Sequence, residues 1–566
     1  MKRLMLIALL IVVALAASAC NTQVRDASAI YIPTDQFEAS YTIDAFNLSS
    51  IEMVVYYRDG DSERISLTES MLRSGDAAKL LTPGEHEIEV NFGGQATRFT
   101  IVLVDEGETI LDFYYLNDLH GEMLPDPGIG MAYIGNLFNE ARAQAPDNTV
   151  ILAGGDMLQG ALISNYDYGE SLVELMDMVG FDAAVVGNHE FDWGLDMVTR
   201  YYLDADEDVY RAQHPFLAAN IVYRGTDIIP DGIEPYTVLE KDGVKVGVIG
   251  SIGYGLESSI SYLMVEPYEF LDPVPIAREL ARTLRVDYGV DMVVLLTHDT
   301  GNTLNAQVRN FTGDEHIDII FNGHSHREEI SPSSTVDGGQ TLAIQSGGYG
   351  SHVGHVRVVI KDGAVVRMQA QNMTRNDDER LRRADADVEA FLNARQDELA
   401  YYYDTLFYAD RYISREELAT WMADLMLKMT DADAAVQNLG GTRHAINEGE
   451  AVSLATLLAV FPFPNQVMRA TVSGNDVTRL RSQNISVIAV DDIASSGEYV
   501  LATTDFLFFR ESSQLRDNET VEVAFTNMQQ LVIDELLLQA ETYGAFDTNN
   551  PLLLPQEEGY GKDGFE

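Results

Sequence analysis

Five times along the middle of the chain, a short apolar, β-rich run stops and a metal-capable residue follows at once. Phe113-Tyr114-Tyr115-Leu116 leads to Asn117-Asp118-Leu119-His120, and Val150-Ile151-Leu152-Ala153 leads to Gly154-Gly155-Asp156. Ala183-Ala184-Val185-Val186 leads to Gly187-Asn188-His189-Glu190, residues 292–296 to Thr297-His298, and residues 317–321 to Asn322-Gly323-His324-Ser325-His326. Ligand sites of α/β proteins form in the loops beyond strand ends, so five such ends can converge on one place. Glycines beside the ligands permit tight turns and close backbone approach. Strands alternate with helical stretches over 106–375, the signature of an α/β domain.

The donors define the chemistry. Asp118, His120, Asp156, Asn188, His298, His324 and His326 supply imidazole, carboxylate and amide oxygen. Thiolate is absent from the set, which excludes a structural zinc-finger type of site. Asp118 and His120, two apart on a segment read as extended, point the same way and can reach one ion. His324 and His326 can do the same or split between two ions. Asp156 is the natural bridge, since a carboxylate has two oxygens. Two divalent ions ~3.5–4 Å apart can clamp a phosphoryl oxygen and hold a shared hydroxide. The donor set admits Zn, Mn, Fe, Co or Ca.

In this order, Asp-x-His, Gly-Asp, Gly-Asn-His-Glu, His and Gly-His-x-His resemble the signature of the calcineurin-like metallophosphoesterases. Residues 117–121 and 187–192 resemble its 5′-nucleotidase branch, which includes UDP-sugar hydrolases and 2′,3′-cyclic-nucleotide phosphodiesterases. The resemblance covers roughly residues 108–545. It implies a four-layer α/β/β/α sandwich followed by a C-terminal α/β substrate domain. One ion would take Asp118, His120, Asp156 and His326, and the other Asp156, Asn188, His298 and His324. Many secreted relatives have Gln where His326 stands. His189 and Asp192 match the family's catalytic pair. His189 would stabilise the transition state or protonate the leaving oxygen, and Asp192 would orient the imidazole. The implied reaction is hydrolysis of a 5′-nucleotide to nucleoside and phosphate, by attack of a metal-bridging hydroxide.

The second α/β region, 406–545, resembles the family's substrate domain. Asn438-Leu439-Gly440-Gly441-Thr442-Arg443 matches an Asn-x-Gly-Gly-x-Arg loop. Asn438 and Gly441 would contact the ligand, and Arg443 can offer a bidentate fork to phosphate. Arg415 stands near another substrate arginine of the family. Phe463 and Phe506 match the two rings that stack on a base. Relatives then carry a Gly-Gly-Asp-Gly loop whose Asp holds the ribose hydroxyls. Here Leu507-Phe508-Phe509-Arg510-Glu511-Ser512 follows instead, which weakens discrimination for those hydroxyls. Arg510 reads as an exposed surface arginine.

The chain carries 37 Lys+Arg against 89 Asp+Glu, a formal charge of −52. Such a surface repels nucleic-acid polymers and anionic membranes, leaving a small phosphate ester as the partner. Residues 1–19 read as an export signal: Lys2 and Arg3, an apolar run over 4–16, then small residues. With Cys20, the one cysteine of the chain, they resemble a bacterial lipoprotein signal. That resemblance implies lipidation of Cys20 and an extracytoplasmic, anchored protein; simple secretion is the alternative. Residues 20–29 read as a linker. Residues 30–105 form a small strand-rich β-sandwich resembling bacterial Ig-like domains. Residues 376–405 read as a charged connecting helix, and 546–566 as a loose tail. The rival reading from another class is a surface binding protein with a degenerate nucleotide pocket.

Overall fold

The computed structural model describes residues 26–553 except 34–35, 38–39, 204–208, 483–484 and 490–492; the side chains of 485–489 are also not described. The export signal and Cys20 lie outside the described residues. The chain divides into two compact units, residues 1–110 and 111–566. No described helix is long and apolar enough to cross a membrane.

The first unit has two three-stranded sheets. One runs Ala27–Tyr31, Glu52–Tyr57, Ser62–Ser66; the other runs Tyr41–Thr42, Gln95–Val104, Gly84–Phe92. Alternation sends Met53, Val55 and Tyr57 inward, onto a core shared with Ile88, Val90, Phe99 and Ile101. One face of each sheet is thereby removed from water, as a sandwich requires.

The second unit opens with two stacked sheets. Strands β1 (Glu108–Leu116), β2 (Thr149–Ala153) and β3 (Ala183–Val185) run parallel in a seven-stranded sheet. Strands β4 (Met292–His298) and β5 (Ile319–Phe321) run parallel in a six-stranded sheet. Leu111, Phe113 and Tyr115 of β1 interleave with Met292, Val294 and Leu296 of β4 in one buried cluster between the sheets. Helices α1 (Met131–Gln144) and α2 (Glu170–Met178) cover the outer face of the first sheet. Helices α3 (Pro273–Thr283) and α4 (Asn302–Val308) cover the second. The result is the α/β/β/α sandwich. Strands buried on both faces read as near-continuous apolar runs, which is why the five runs stood out.

The connecting segment differs from the single helix expected over 376–405. It is a 3₁₀ turn (Glu379–Arg382), then helix α5 (Ala386–Glu398), then a short turn of helix (Ala400–Tyr403). Asp385 fixes the start of α5 by accepting from the N–H groups of Asp387 and Val388, as a good N-cap does. The helix is docked: Val388 and Leu392 are buried in the cluster that α1 lines. At Gly135 of α1 a Cβ would lie 2.9–3.1 Å from Val179 and Val388.

The C-terminal domain is built on a five-stranded sheet in the order Ile485–Ala489, Ala434–Asn438, Glu498–Thr504, Val467–Ser473, Glu522–Phe525. Helices α6 (Arg415–Thr430) and α7 (Leu454–Val460) belong to the same domain. The tail is not loose as far as it is described. The buried Glu535 carboxylate accepts from the N–H groups of Leu552 and Leu553, both at 2.7 Å, and Phe546 packs edge-on to Trp421.

Candidate metal centre and substrate cavity

The five strand ends meet in two clusters. Asp118, His120 and His326 offer ligand atoms within 4.8 Å of one another, and so do Asp156, His298 and His324. Asn188 joins the second cluster: its Oδ1 lies 2.8 Å from His324 Nδ1 and 3.2 Å from His298 Nε2. His120 Nε2 and His326 Nε2 face each other at 3.1 Å. His324 and His326 therefore split between the clusters.

The local backbone is not the extended segment expected for residues 118–120. Asp118, His120, Asp156, His324 and His326 all have φ between 50° and 72°. Non-glycine residues are strained in this left-handed region, and persist there only where their surroundings over-determine them. The surroundings do so here. The N–H of Asp118 donates to Gly155 O and that of His120 to Asp156 O, both at 3.0 Å. The left-handed turns bend the chain back across the strand ends, so the donors converge without a regular strand. At Gly187 a Cβ would stand 2.4 Å from Asp156 N, so only glycine lets these two loops touch.

Outer hydrogen bonds orient the ligands. His298 Nδ1 donates to Gly154 O at 2.9 Å and His120 Nδ1 to Gln159 O at 3.0 Å, leaving each Nε2 for a metal. Asn117 Oδ1 accepts from the N–H and hydroxyl of Ser346, tying the first loop to the end of the strand Leu342–Ser346 in the other sheet. Glu190 is buried and accepts four backbone N–H bonds: Asp156 and Gly187 on Oε2, Met157 and Leu158 on Oε1.

Electrostatics favours cations. Burial, reinforced by Asp156 and opposed by His298, pushes Asp118 up to about 7. Burial opposes protonation of His298, but Asp156 overrides it and raises this histidine to about 10. Burial lowers His324 and His326 to about 4, helped by the charges of His298 and Arg443 respectively. Two buried carboxylates with neutral imidazoles at His324 and His326, and a His298 proton that a cation can displace, suit divalent metals, and this donor chemistry fits two of them.

His189 stands between this centre and a cavity of about 410 Å³. Its Nδ1 lies 2.7 Å from Asp192 Oδ2. Its backbone N–H donates to Asp156 Oδ1 at 2.8 Å. Burial works against protonation of His189, but Asp192 and Asp156 outweigh it and raise its pKa. Arg443 Nη2 lies 3.2 Å from His189 Nε2. The Phe463 ring stacks on His189 at 5.4 Å, and the Arg443 guanidinium sits 5.3 Å above Phe463. Asn438, Gly441 and Phe506 also line the cavity.

Arg415 is engaged elsewhere. Its Nε donates to Thr442 O at 2.6 Å and its Nη2 to Leu439 O, so it braces the loop from behind. Arg510, expected at the surface, is half-buried in the cavity wall, 5.5 Å from the Phe506 ring centre. Sequence reasoning also passed over Tyr349, whose ring packs on His120 and His326 at 5.3 and 5.0 Å. The run Gly347-Gly348-Tyr349-Gly350 beyond a strand end was its available signal.

Fold and donor set together define a site suited to two divalent ions. Two family models match: calcineurin-like phosphoesterase over residues 111–328, and 5′-nucleotidase, C-terminal domain over 401–487. The chain thus carries a calcineurin-like phosphoesterase domain followed by a 5′-nucleotidase C-terminal domain. It is 27% identical over 412 residues to endonuclease YhcR of Bacillus subtilis, covering 68% of this chain and 33% of that protein. The chain spans only about a third of the length of the first curated relatives it matches. It is 25% identical over 508 residues to a 5′-nucleotidase of Vibrio parahaemolyticus, covering 80% of this chain and 87% of the relative. The crystal structure of a 5′-nucleotidase precursor from Thermus thermophilus shares the fold, with TM-score 0.60 and 20% identity over 75% of this chain and 96% of that one.

Proposed function

We propose that this chain is an exported enzyme that hydrolyses 5′-nucleotides to nucleoside and phosphate. The observation that carries the reading is the junction at His189. One imidazole touches the Asp156 loop through its backbone, Asp192 through Nδ1, Arg443 at Nε2 and the Phe463 ring face. A phosphoryl group at the metal centre would thus have its leaving group directed into the aromatic-walled cavity.

One ion would be held by Asp118, His120, Asp156 and His326, and the other by Asp156, Asn188, His298 and His324. When bound, two divalent ions supply positive charge against the phosphoryl oxygens and make water a nucleophile near neutral pH. The chain's own groups do the rest. Asp192 accepts from His189 Nδ1–H and raises the pKa of the ring; Nε2 takes up its proton as Arg443 Nη2, a donor 3.2 Å away, turns from it to the phosphoryl oxygens. As the new P–O bond forms and the P–O5′ bond breaks, the Nε2 proton passes to O5′. Arg443 takes up the negative charge growing on the phosphoryl oxygens. Phe463 and Phe506 stack on the base, and the loop from Asn438 to Gly441, braced by Arg415, closes the wall.

Export rests on the signal-like residues 1–19. Lipidation of Cys20 and an extracytoplasmic place at the membrane belong to the same reading, and the 30–105 sandwich would act as an Ig-like spacer. The boundaries at 106–375, 376–405 and 406–545 are part of it as well.

The test is a panel: AMP, UDP-glucose, 2′,3′-cyclic AMP and bis(p-nitrophenyl) phosphate, each with metal-restored protein. With each substrate followed by its own hydrolysis product, since the diesters and UDP-glucose yield phosphomonoesters rather than free phosphate, turnover fastest for AMP supports the nucleotidase. Preference for the cyclic nucleotide or UDP-glucose moves the assignment to the diesterase or sugar-nucleotide hydrolase. Tight AMP binding with no turnover of any of the four supports the binding-protein reading.

A further inference from the structure

The cavity is lined by two arginines. Arg443 stands beside the metal centre, 3.2 Å from His189. Arg510 also lines the cavity, after the short helix Asp505–Phe508, with its guanidinium over the Phe506 ring rather than at His189. Ser258, Ser259 and Ser261 line the same cavity. Ser261 is committed, donating to the buried Asp505 carboxylate at 2.8 Å.

Arg510 differs from its neighbours in what its guanidinium meets: Arg415 and Arg516 donate to backbone carbonyls and Arg443 faces His189. Arg411, Arg469 and Arg479 each hold a carboxylate. Among the described residues Arg510 makes no ion pair, in a chain with 89 Asp+Glu against 37 Lys+Arg. An arginine held over an aromatic ring keeps its in-plane N–H donors free for an anion. A nucleoside monophosphate has one anionic group, and the metal centre, His189 and Arg443 consume it. Such a ligand leaves Arg510 without a counter-charge.

We infer that Arg510 is a second anion-binding point, and that the preferred substrate is a nucleotide whose leaving nucleoside carries another phosphoryl group on its ribose. This inference rests on the nucleotidase reading. The base stacks between the phenylalanines, the 5′-phosphate is hydrolysed at the metal centre, and the 2′- or 3′-phosphate accepts from Arg510, with Ser259 at hand; the Ser258 hydroxyl donates to Gly255 O at 2.9 Å.

The experiment compares kcat/KM for AMP with that for adenosine 2′,5′- and 3′,5′-bisphosphate, in wild type, Arg510→Ala and Arg510→Lys. Taking the ratio within each variant cancels any loss of folded protein. Wild type should favour one bisphosphate about tenfold or more, the scale of one charge-assisted hydrogen-bonded contact. R510A should bring the ratio close to one, mainly through KM, and R510K should restore part of it. AMP hydrolysis with no bisphosphate preference, or a preference that R510A leaves intact, overturns this inference alone. Failure to hydrolyse any of the three refutes the nucleotidase reading and this inference with it.

Discussion

Glu190 is the residue on which the joining of two metal loops most depends, and its isosteric replacement tests that dependence. Its oxygens accept from Asp156 N at 2.9 Å, Gly187 N at 2.7 Å, Met157 N at 2.9 Å and Leu158 N at 3.2 Å. Burial, and then the charge of Asp156, pushes its pKa up. Four donors nonetheless leave no acceptor for a proton, so the side chain is held as a carboxylate. Glu190→Gln keeps the shape and replaces one oxygen by an NH₂ that faces two N–H donors. At ~1–3 kcal/mol for each buried donor left unsatisfied, the substitution should cost about 2–6 kcal/mol. At ~2.1 cal/mol/K per residue, a unit spanning residues 111–566 should then lose about 2–6 °C in its unfolding midpoint. Because Asp156 and Asn188 lie on the two loops being clamped, metal affinity should fall ~10–100-fold. Circular dichroism melting and ion content after chelation and restoration measure both. A variant that melts within ~1 °C of wild type and regains its full metal content would refute the clamp.

His189→Ala should retain its ions and lower kcat by roughly 10²–10⁴ for AMP. The raised pKa of His189 means its proton is present below that value and lost above it; activity that uses the proton should therefore fall as pH rises beyond it, and Asp192→Asn should move that falling limb to lower pH. Metal binding should release protons and tighten as pH rises through 7, because Asp118 near 7 and His298 near 10 carry protons in the free protein; calorimetry in buffers of different ionisation enthalpy counts them. Phe463→Ala and Phe506→Ala should raise KM for AMP about tenfold more than for ribose 5-phosphate, which has no base to stack; equal effects on both would assign the rings to packing.

The five strand ends were legible because each combined an apolar run, a glycine and a donor, and the sheets bury those runs on both faces. Helices α6 and α7 were legible for a related reason: Ser414 and Ser453 stand at their N-caps and accept the expected backbone N–H bonds. The left-handed backbone at Asp118 and His120 was not legible. Spacing alone does not distinguish a strand from a turn that brings two side chains together, and the deciding bonds come from the distant Gly155 and Asp156 carbonyls. The start of α5 was readable in Asp385 and was overlooked beneath the charge run from Asp377 to Leu381. Glu190, Tyr349 and Arg510 needed tertiary structure, because their roles are set by residues far along the chain or by the shape of the cavity. The ordered stretch near Leu552 hides in a polar, proline-containing segment, and only the buried Glu535 reveals it.

The central claim is that the two clusters act as one metal centre serving His189. It is tested most directly by titrating chelated protein with Mn²⁺ or Zn²⁺ while counting bound ions and following phosphate release from AMP. The account predicts two ions per chain, turnover that appears with the second ion, and a His189→Ala protein that binds both ions and stays nearly silent. Full release from the chelated protein, or undiminished release from His189→Ala, would contradict it.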